Sequence, residues 1–276
     1  PPPNGRAVSP SAPGETHAYT VGRADGSVLG VTLGAASIAI PPVMNVKTLA
    51  SASGPVGYLQ FNDHNEAAEA QLIAAIQQLQ AAGAKDLVLD MRYNGGGLLG
   101  IASELAYMVA GHATTQGKTF ERLLSNRKLI LSASQANVPF HATSQGYSVP
   151  PGQALPQLGL ARVTVLSGPD TCSASESVIN GLRGVGVAVQ LVGGTTCGKP
   201  YAFRPRDNCG TTYFAINFQG VNELGQGDYG DGFAPACVVA DDFGHALGDP
   251  AEARLGGAPG LHGGASDVAG RVQGSQ

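Results

Sequence analysis

The first half of the chain combines short apolar runs with one longer segment of helical spacing. Val56–Phe61 (V-G-Y-L-Q-F) and Asp86–Met91 (D-L-V-L-D-M) are apolar and of strand length, which predicts two buried strands. Between them, Glu66–Ala82 predicts an amphipathic helix that ends at Gly83, because apolar residues recur along one face: Leu72, Ile73, Ile76 and Leu79. A strand, a helix and a second strand in this order form a right-handed crossover between parallel strands. The pattern therefore predicts an α/β core.

The alternation of helix and strand continues toward the C-terminus. Leu98–Val109 predicts a second helix, and Ala161–Ser167 and Val189–Val192 predict two more buried strands. A third helix is expected to begin near Ser173, with one apolar face formed by Val178, Ile179 and Leu182. These elements extend the predicted α/β core through the region that carries the candidate chemistry.

Two regions depart from this alternation. Thr114–Gly159 has no clear period, and a long irregular segment of this kind is often a lid or a substrate-binding insertion. Its aromatic side chains would contact substrate or belong to the core: Phe120, Phe140 and Tyr147. Farther on, Tyr201–Phe203 and Thr211–Phe218 flank P-R-D-N-C-G, which predicts a β-hairpin.

The two ends of the chain differ from the core. Short alternating segments (A-Y-T-V, S-V-L-G-V-T-L and A-S-I-A-I) predict a small antiparallel β unit over residues 17–55, ahead of a core over 56–255. Residues 1–16 are rich in Pro, Ser, Gly and Ala and are expected to form a disordered or linker segment. Residues 256–276 have the composition of a flexible, Gly-rich tail. The chain begins without Met, which favours a mature or trimmed polypeptide.

Composition excludes several classes of function. Only 13% of the 276 residues are charged, the formal net charge is −4 and no basic cluster occurs, which argues against a nucleic-acid partner. No apolar run approaches the length that crosses a membrane. The acidic, Gly-rich segment Asn222–Asp242 lacks the order of a Ca²⁺-binding EF-hand loop, so we expect a solvated turn there and no metal.

Four cysteines lie in the C-terminal half, at positions 172, 197, 209 and 237. They match no metal-binding spacing, and four cysteines allow three disulfide connectivities. One or two bridges are expected in a chain located outside the cytoplasm, with Cys209–Cys237 slightly favoured, whereas a cytosolic chain would keep buried free thiols.

A candidate nucleophile and base occur between Thr171 and Lys199. Ser173 precedes the third helix, where free helix N–H groups stabilise developing negative charge. None of the six histidines lies in a recognisable motif, so Lys199, behind Gly198, is the better candidate for the base. To act near neutral pH, the pKa of a lysine must fall from about 10.4 to roughly 7–8, and burial among apolar neighbours can produce this change. Cys172 is a weaker alternative nucleophile.

A glycine run follows the strand at 86–91. In Arg92–Gly97 (R-Y-N-G-G-G) it allows backbone N–H groups to approach a ligand closely, as an oxyanion hole or a phosphate loop requires, although the spacing of a nucleotide-binding P-loop is absent. A glycine turn without catalytic function is the alternative. Asp90 and Arg92 are expected to pair and hold this loop rather than to react.

Three motifs together resemble peptidase family S41, the C-terminal processing or tail-specific serine peptidases. They are S-A-S-E, V-G-G-T-T-C-G-K and L-V-L-D-M-R-Y-N-G-G-G, and the resemblance extends over residues 57–239. It implies a ClpP/crotonase-like β-β-α core, in which Ser173 is the nucleophile and Lys199 the general base. It also implies that the Gly96 and Ala174 N–H groups form the oxyanion hole.

The chain departs from the family at one position. Better-known members carry a Gln four residues after the lysine, where this chain has Phe203, so Thr196 is a candidate to support Lys199 instead.

The resemblance implies a serine endopeptidase that acts on unfolded or C-terminal polypeptide segments outside the cytoplasm, without a cofactor and compatible with a homo-oligomer. Many family members carry a PDZ domain ahead of the core, and residues 18–50 are too few to contain one. Two alternatives remain: an esterase or amidase acting on small molecules, and a non-catalytic ligand-binding member of the same fold.

Overall fold

The computed structural model describes residues 10–23, 25–126 and 130–240. The predicted tail at 256–276 and most of the predicted linker lie outside these residues, as does the predicted core beyond residue 240. The chain divides into two compact units, residues 1–40 and residues 41–276.

The described residues of the first unit form an antiparallel hairpin of two strands, β1 (Thr16–Gly22) and β2 (Val28–Gly34). The segment A-S-I-A-I at 36–40, which we predicted as a third strand, has no regular structure.

The described residues of the second unit form twelve strands and five helices. In chain order they are β3 (Val43–Leu49), β4 (Val56–Phe61), α1 (Ala68–Ala81), β5 (Asp86–Asp90), α2 (Leu99–Ala110), α3 (His112–Thr115), β6 (Thr119–Ser125), α4 (Ala133–Ala136), β7 (Asn137–Pro139), β8 (Arg162–Ser167), α5 (Ala174–Gly184), β9 (Ala188–Gly193), β10 (Tyr201–Phe203), β11 (Arg206–Asn208), β12 (Thr211–Tyr213), β13 (Ile216–Val221) and β14 (Cys237–Val238). The predicted α/β class is confirmed.

A six-stranded sheet, in the order β14-β9-β8-β5-β4-β3, forms the centre of this unit. Its neighbours are parallel except for the antiparallel pair β3 and β4. Strand β3, which the sequence pattern placed with the N-terminal strands, therefore belongs to the large sheet. Every residue of β4 and of β5 is buried, as expected for parallel strands covered on both faces.

Helix α1 shows how the apolar pattern builds the core. Leu72, Ile76 and Leu79 are fully buried, while Ile73 is partly buried beside them. The helix ends before Gly83, which has a φ of +69°, a conformation that glycine adopts without the steric penalty of a side chain. The predicted amphipathic helix is thus present, with its boundaries shifted by one or two residues.

A second, antiparallel sheet has the order β10-β13-β6-β7, and two of its strands, β6 and β7, come from the region that had no readable period. Phe120 and Phe140 are buried and pack edge to face, with ring centroids 5.3 Å apart. Tyr147 packs against the same core. Of the two roles left open for these aromatic side chains, the structure shows packing in the core.

The predicted hairpin after Lys199 consists of two nested ladders. The inner strands β11 and β12 are joined by Cys209 and Gly210, whose φ angles of +48° and +76° fit a tight hairpin turn. The outer strand β10 pairs with β13 and so joins the second sheet. No helix in the described part of the chain is long and apolar enough to cross a membrane.

Candidate active site

Ser173 lies at the start of α5 in an unusual backbone conformation. Its φ is +56°, a region that costs a non-glycine residue roughly 1–3 kcal/mol. The preceding turn is held by Thr171, whose hydroxyl donates to the Met91 carbonyl at 2.8 Å and accepts from the Gly168 N–H at 2.9 Å. The N–H of Ala174, the first residue of α5, donates no hydrogen bond within the described residues. The turn therefore presents a hydroxyl beside an unused helix N–H.

Glu176 connects this turn to the loop that carries Lys199. Its carboxylate is fully buried and accepts from the Ser173 N–H at 3.0 Å and from the Lys199 N–H at 2.8 Å. It also accepts from the Gly198 N–H at 2.8 Å and the Thr196 hydroxyl at 2.6 Å. One carboxylate therefore holds the backbone of both candidate catalytic residues. Sequence reasoning missed this role, because a Glu three residues after a Ser at a helix start is also the ordinary capping pattern.

Thr196 does not have the surroundings that we expected. Its hydroxyl donates to Glu176 and accepts from the Phe233 N–H at 2.7 Å. Because a hydroxyl has a single proton, Thr196 cannot also donate to the lysine amine. Thr196 is instead connected to the backbone of Lys199 through the Glu176 carboxylate.

A disulfide joins the same two segments covalently. Cys172, next to Ser173, is bonded to Cys197, two residues before Lys199, with the Cα atoms 5.2 Å apart. The favoured pairing of Cys209 with Cys237 was wrong: Cys209 is exposed in the turn between β11 and β12, whereas Cys237 is buried in β14, and both are free thiols. Cys172, Cys197 and Glu176 form the one metal-type cluster among the described residues, but the disulfide occupies both sulfurs.

The glycine loop after β5 is anchored to the turn at Ser173. As predicted, Asp90 and Arg92 pair. Arg92 Nη2 lies 2.7 Å from Asp90 Oδ2, and Arg92 Nε donates to Asp90 Oδ1 at 3.0 Å. The Asn94 carbonyl accepts from the Cys172 N–H at 3.1 Å and the Ser175 hydroxyl at 2.9 Å. These bonds fix the loop against the turn at Ser173.

The glycine expected in the oxyanion hole has a different role. The Gly96 N–H donates to Asn94 Oδ1 at 3.0 Å, so it is not available to an oxyanion. Gly96 is instead required for close approach, since a Cβ there would lie 2.8 Å from the Ser173 Cβ. Gly97 is exposed and its N–H has no acceptor among the described residues.

A buried histidine completes the support of this loop. His64 Nδ1 lies 2.9 Å from Asn94 Oδ1, and because an amide oxygen only accepts hydrogen bonds, Nδ1 must carry the proton. Burial lowers the pKa of His64 to about 4, so the ring is neutral at physiological pH. Its Nε2 is buried without a partner in the described part of the chain. His64 was not a candidate in the sequence, because it lies in no motif.

Ser173, Ala174 and Lys199 line one cavity of about 180 Å³, together with Gly97 and Glu121. The Lys199 amine lies over the Phe203 ring, 5.5 Å from its centroid. No hydrogen bond joins Ser173 Oγ to Lys199 Nζ in this structure. The two proposed catalytic side chains thus share a cavity while the lysine rests on an aromatic ring.

Comparisons with known proteins agree with this arrangement. The sequence profile of Peptidase family S41 matches residues 55–215, which is more than half of the chain. The chain therefore belongs to peptidase family S41, a family of serine peptidases.

Individual relatives are longer than this chain. A carboxyl-terminal-processing protease of Picosynechococcus sp. is 31% identical over 144 residues, which cover 52% of this chain and 29% of that protein. The chain thus spans less than a third of the length of this curated relative.

Two solved structures share the fold. A protein of Bacteroides fragilis assigned to the S41 proteases matches with a TM-score of 0.69 and 24% identity, over 88% of this chain and 66% of that one. The photosystem II D1 C-terminal processing protease matches with a TM-score of 0.54 and 20% identity, over 79% of this chain and 53% of that one.

Proposed function

We propose that this chain is a serine endopeptidase in which Ser173 and Lys199 form a catalytic dyad that cleaves unfolded or C-terminal segments of polypeptides. The observation that carries the proposal is the double connection between the two residues, through the Glu176 carboxylate and the Cys172–Cys197 disulfide, beside one cavity. The polypeptide substrate is supported by the carboxyl-terminal-processing protease that resembles this chain.

In the proposed reaction, Ser173 Oγ attacks a peptide carbonyl while the neutral Lys199 amine accepts its proton. The Ala174 and Gly97 N–H groups would stabilise the oxyanion, since neither has another acceptor among the described residues. Lys199 then returns the proton to the leaving amine, and water hydrolyses the acyl-enzyme. Since Lys199 Nζ now lies over Phe203, the proposal includes a rotation of the lysine side chain toward Ser173 when substrate binds.

We also propose that the protein acts outside the cytoplasm. A disulfide beside the nucleophile persists in oxidising compartments and is rarely maintained in the cytosol.

The test is labelling by a fluorophosphonate, followed by intact mass, together with digestion of casein as an unfolded substrate. We expect one adduct on the parent chain, none on Ser173→Ala, and at least a hundredfold slower labelling of Lys199→Ala. Lys85→Ala is the matched control, because Lys85 is an exposed lysine outside the cavity.

The outcomes separate the alternatives. If the chain is labelled and cleaves casein, the peptidase proposal is supported. If it is labelled but hydrolyses only small esters, the esterase alternative takes its place. A parent chain that takes up no probe and cleaves nothing would contradict the catalytic proposal and favour a ligand-binding member of the fold.

A further inference from the structure

We propose that Glu121 determines substrate specificity: its carboxylate binds the cationic side chain of a Lys or Arg that immediately precedes the scissile bond. The inference rests on the proposed peptidase function and adds a substrate class to it. Glu121 belongs to none of the motifs that identify the nucleophile and the base.

The backbone of β6 brings this side chain inward. The pairing of β6 with β7 shifts register between Thr119 and Glu121, so that Phe120 is an extra residue on β6. In a regular strand, consecutive side chains point to opposite faces, whereas here Phe120 and Glu121 are both buried. The bulge thus allows an acidic side chain to follow a core phenylalanine directly.

The neighbouring strand makes room for the carboxylate. A Cβ added to Gly220, on β13, would clash with both Glu121 carboxylate oxygens, so the carboxylate lies where a side chain would otherwise be. From this place Glu121 lines the cavity that Ser173 also lines. Any residue that acylates Ser173 therefore has its own side chain within reach of that cavity.

The carboxylate has no cationic partner among the residues that the structure describes. Glu121 is 6% exposed, and the ion pairs formed by described residues do not include it. Burial raises the pKa of Glu121 to about 7, with the nearby Ser177 hydroxyl acting in the opposite direction. Lys199 lines the same cavity, but its amine lies over Phe203 and makes no ion pair with Glu121. A buried carboxylate that lacks a counter-charge gains most from a cation supplied by a ligand.

The cavity is of suitable size for one long side chain. Its volume is about 180 Å³. Its other walls include Leu99 and Phe218, which can pack against the methylene groups of a lysine while the charged end reaches Glu121.

The test compares two fluorogenic peptides that differ only in the residue before the scissile bond, which is lysine in one and norleucine in the other. Norleucine has the same carbon chain without the charge. We expect kcat/KM of the parent chain to be at least tenfold higher for the lysine peptide. Glu121→Gln should reduce this ratio to about one, because a neutral amide does not offset the charge of the lysine side chain.

Glu66→Gln is the matched control, because Glu66 is an exposed glutamate, and it should retain the parent's ratio. A parent chain that cleaves both peptides equally well would overturn the role of Glu121 and leave the peptidase intact, as would a Glu121→Gln variant with an unchanged ratio. A parent chain that cleaves neither peptide and takes up no fluorophosphonate would overturn both proposals.

Discussion

Replacing Cys172 and Cys197 together by serine removes the covalent connection between the nucleophile turn and the lysine loop. The two cysteines are 25 residues apart in sequence. By the chain-entropy relation for a loop of that length, the bridge stabilises the folded state by about 3.5 kcal/mol. We therefore expect the variant to unfold at a urea concentration lower by roughly 1–2 M.

The same substitution should affect the site beyond its effect on stability. Without the bridge, the lysine loop remains attached through hydrogen bonds to Glu176. A misalignment of Ser173 and Lys199 that costs about 1.4 kcal/mol slows reaction at the serine about tenfold. The assay is the second-order rate of fluorophosphonate labelling, measured at a temperature where the variant is folded.

Cys209→Ser provides the control, since it removes a thiol that is exposed and free. It should keep both the urea midpoint and the labelling rate of the parent chain. If the variant lacking Cys172 and Cys197 also kept both, the bridge would not hold the site together and the reasoning would be refuted.

Three further predictions concern buried side chains that can ionise. Burial and the nearby Glu69 raise the pKa of Glu104 from 4.5 to about 8, so the folded state holds this proton more tightly than the unfolded state. The free energy of unfolding should therefore fall by a few kcal/mol as pH rises from about 4.5 to 8. Glu104→Gln should remove most of this loss in urea titrations at the two pH values, and an unchanged loss would count against the assignment. The pKa of His64 is lowered to about 4, so its contribution to stability is present above pH 6.5 and is lost as pH falls toward 4; NMR titration should show a midpoint near 4, not near 6.5. Glu176→Gln brings an amide donor toward the N–H groups of Ser173 and Lys199 and should slow fluorophosphonate labelling more than tenfold, whereas a rate within twofold of the parent would show that the carboxylate does not align the site.

Elements that depend on neighbouring residues could be predicted from the sequence, whereas pairings between distant segments could not. Val56–Phe61 is observed with the predicted boundaries, because its apolar side chains reflect burial along one strand. The partner of β3 could not be predicted in this way, since the pairing of Val43 with Phe61 depends on contacts distant in sequence. The turn at Cys209 and Gly210 lies inside a predicted hairpin signal, which is purely local.

The same distinction between local and long-range information applies to the candidate site. Ser173 and Lys199 were found through the motifs around them, and the structure brings both to one cavity. The roles of Glu176 and Asn94 depend on which backbone N–H groups the fold brings near them, and this information is absent from residue spacing. The disulfide was missed for the same reason, because the approach of Cys172 to Cys197 is a consequence of the assembled loops.

The extra residue in β6 implies that a change in the length of this strand, as well as a substitution, can alter which side chains line the cavity. Because side chains alternate along a strand, removing Phe120 would exchange the faces of the residues on one side of the bulge relative to the other. A one-residue insertion or deletion could then place a different side chain in the space beside Gly220 while Ser173 and Lys199 stayed in place. Relatives that differ by one residue in this strand could therefore differ in the peptides they select, although their catalytic motifs were identical.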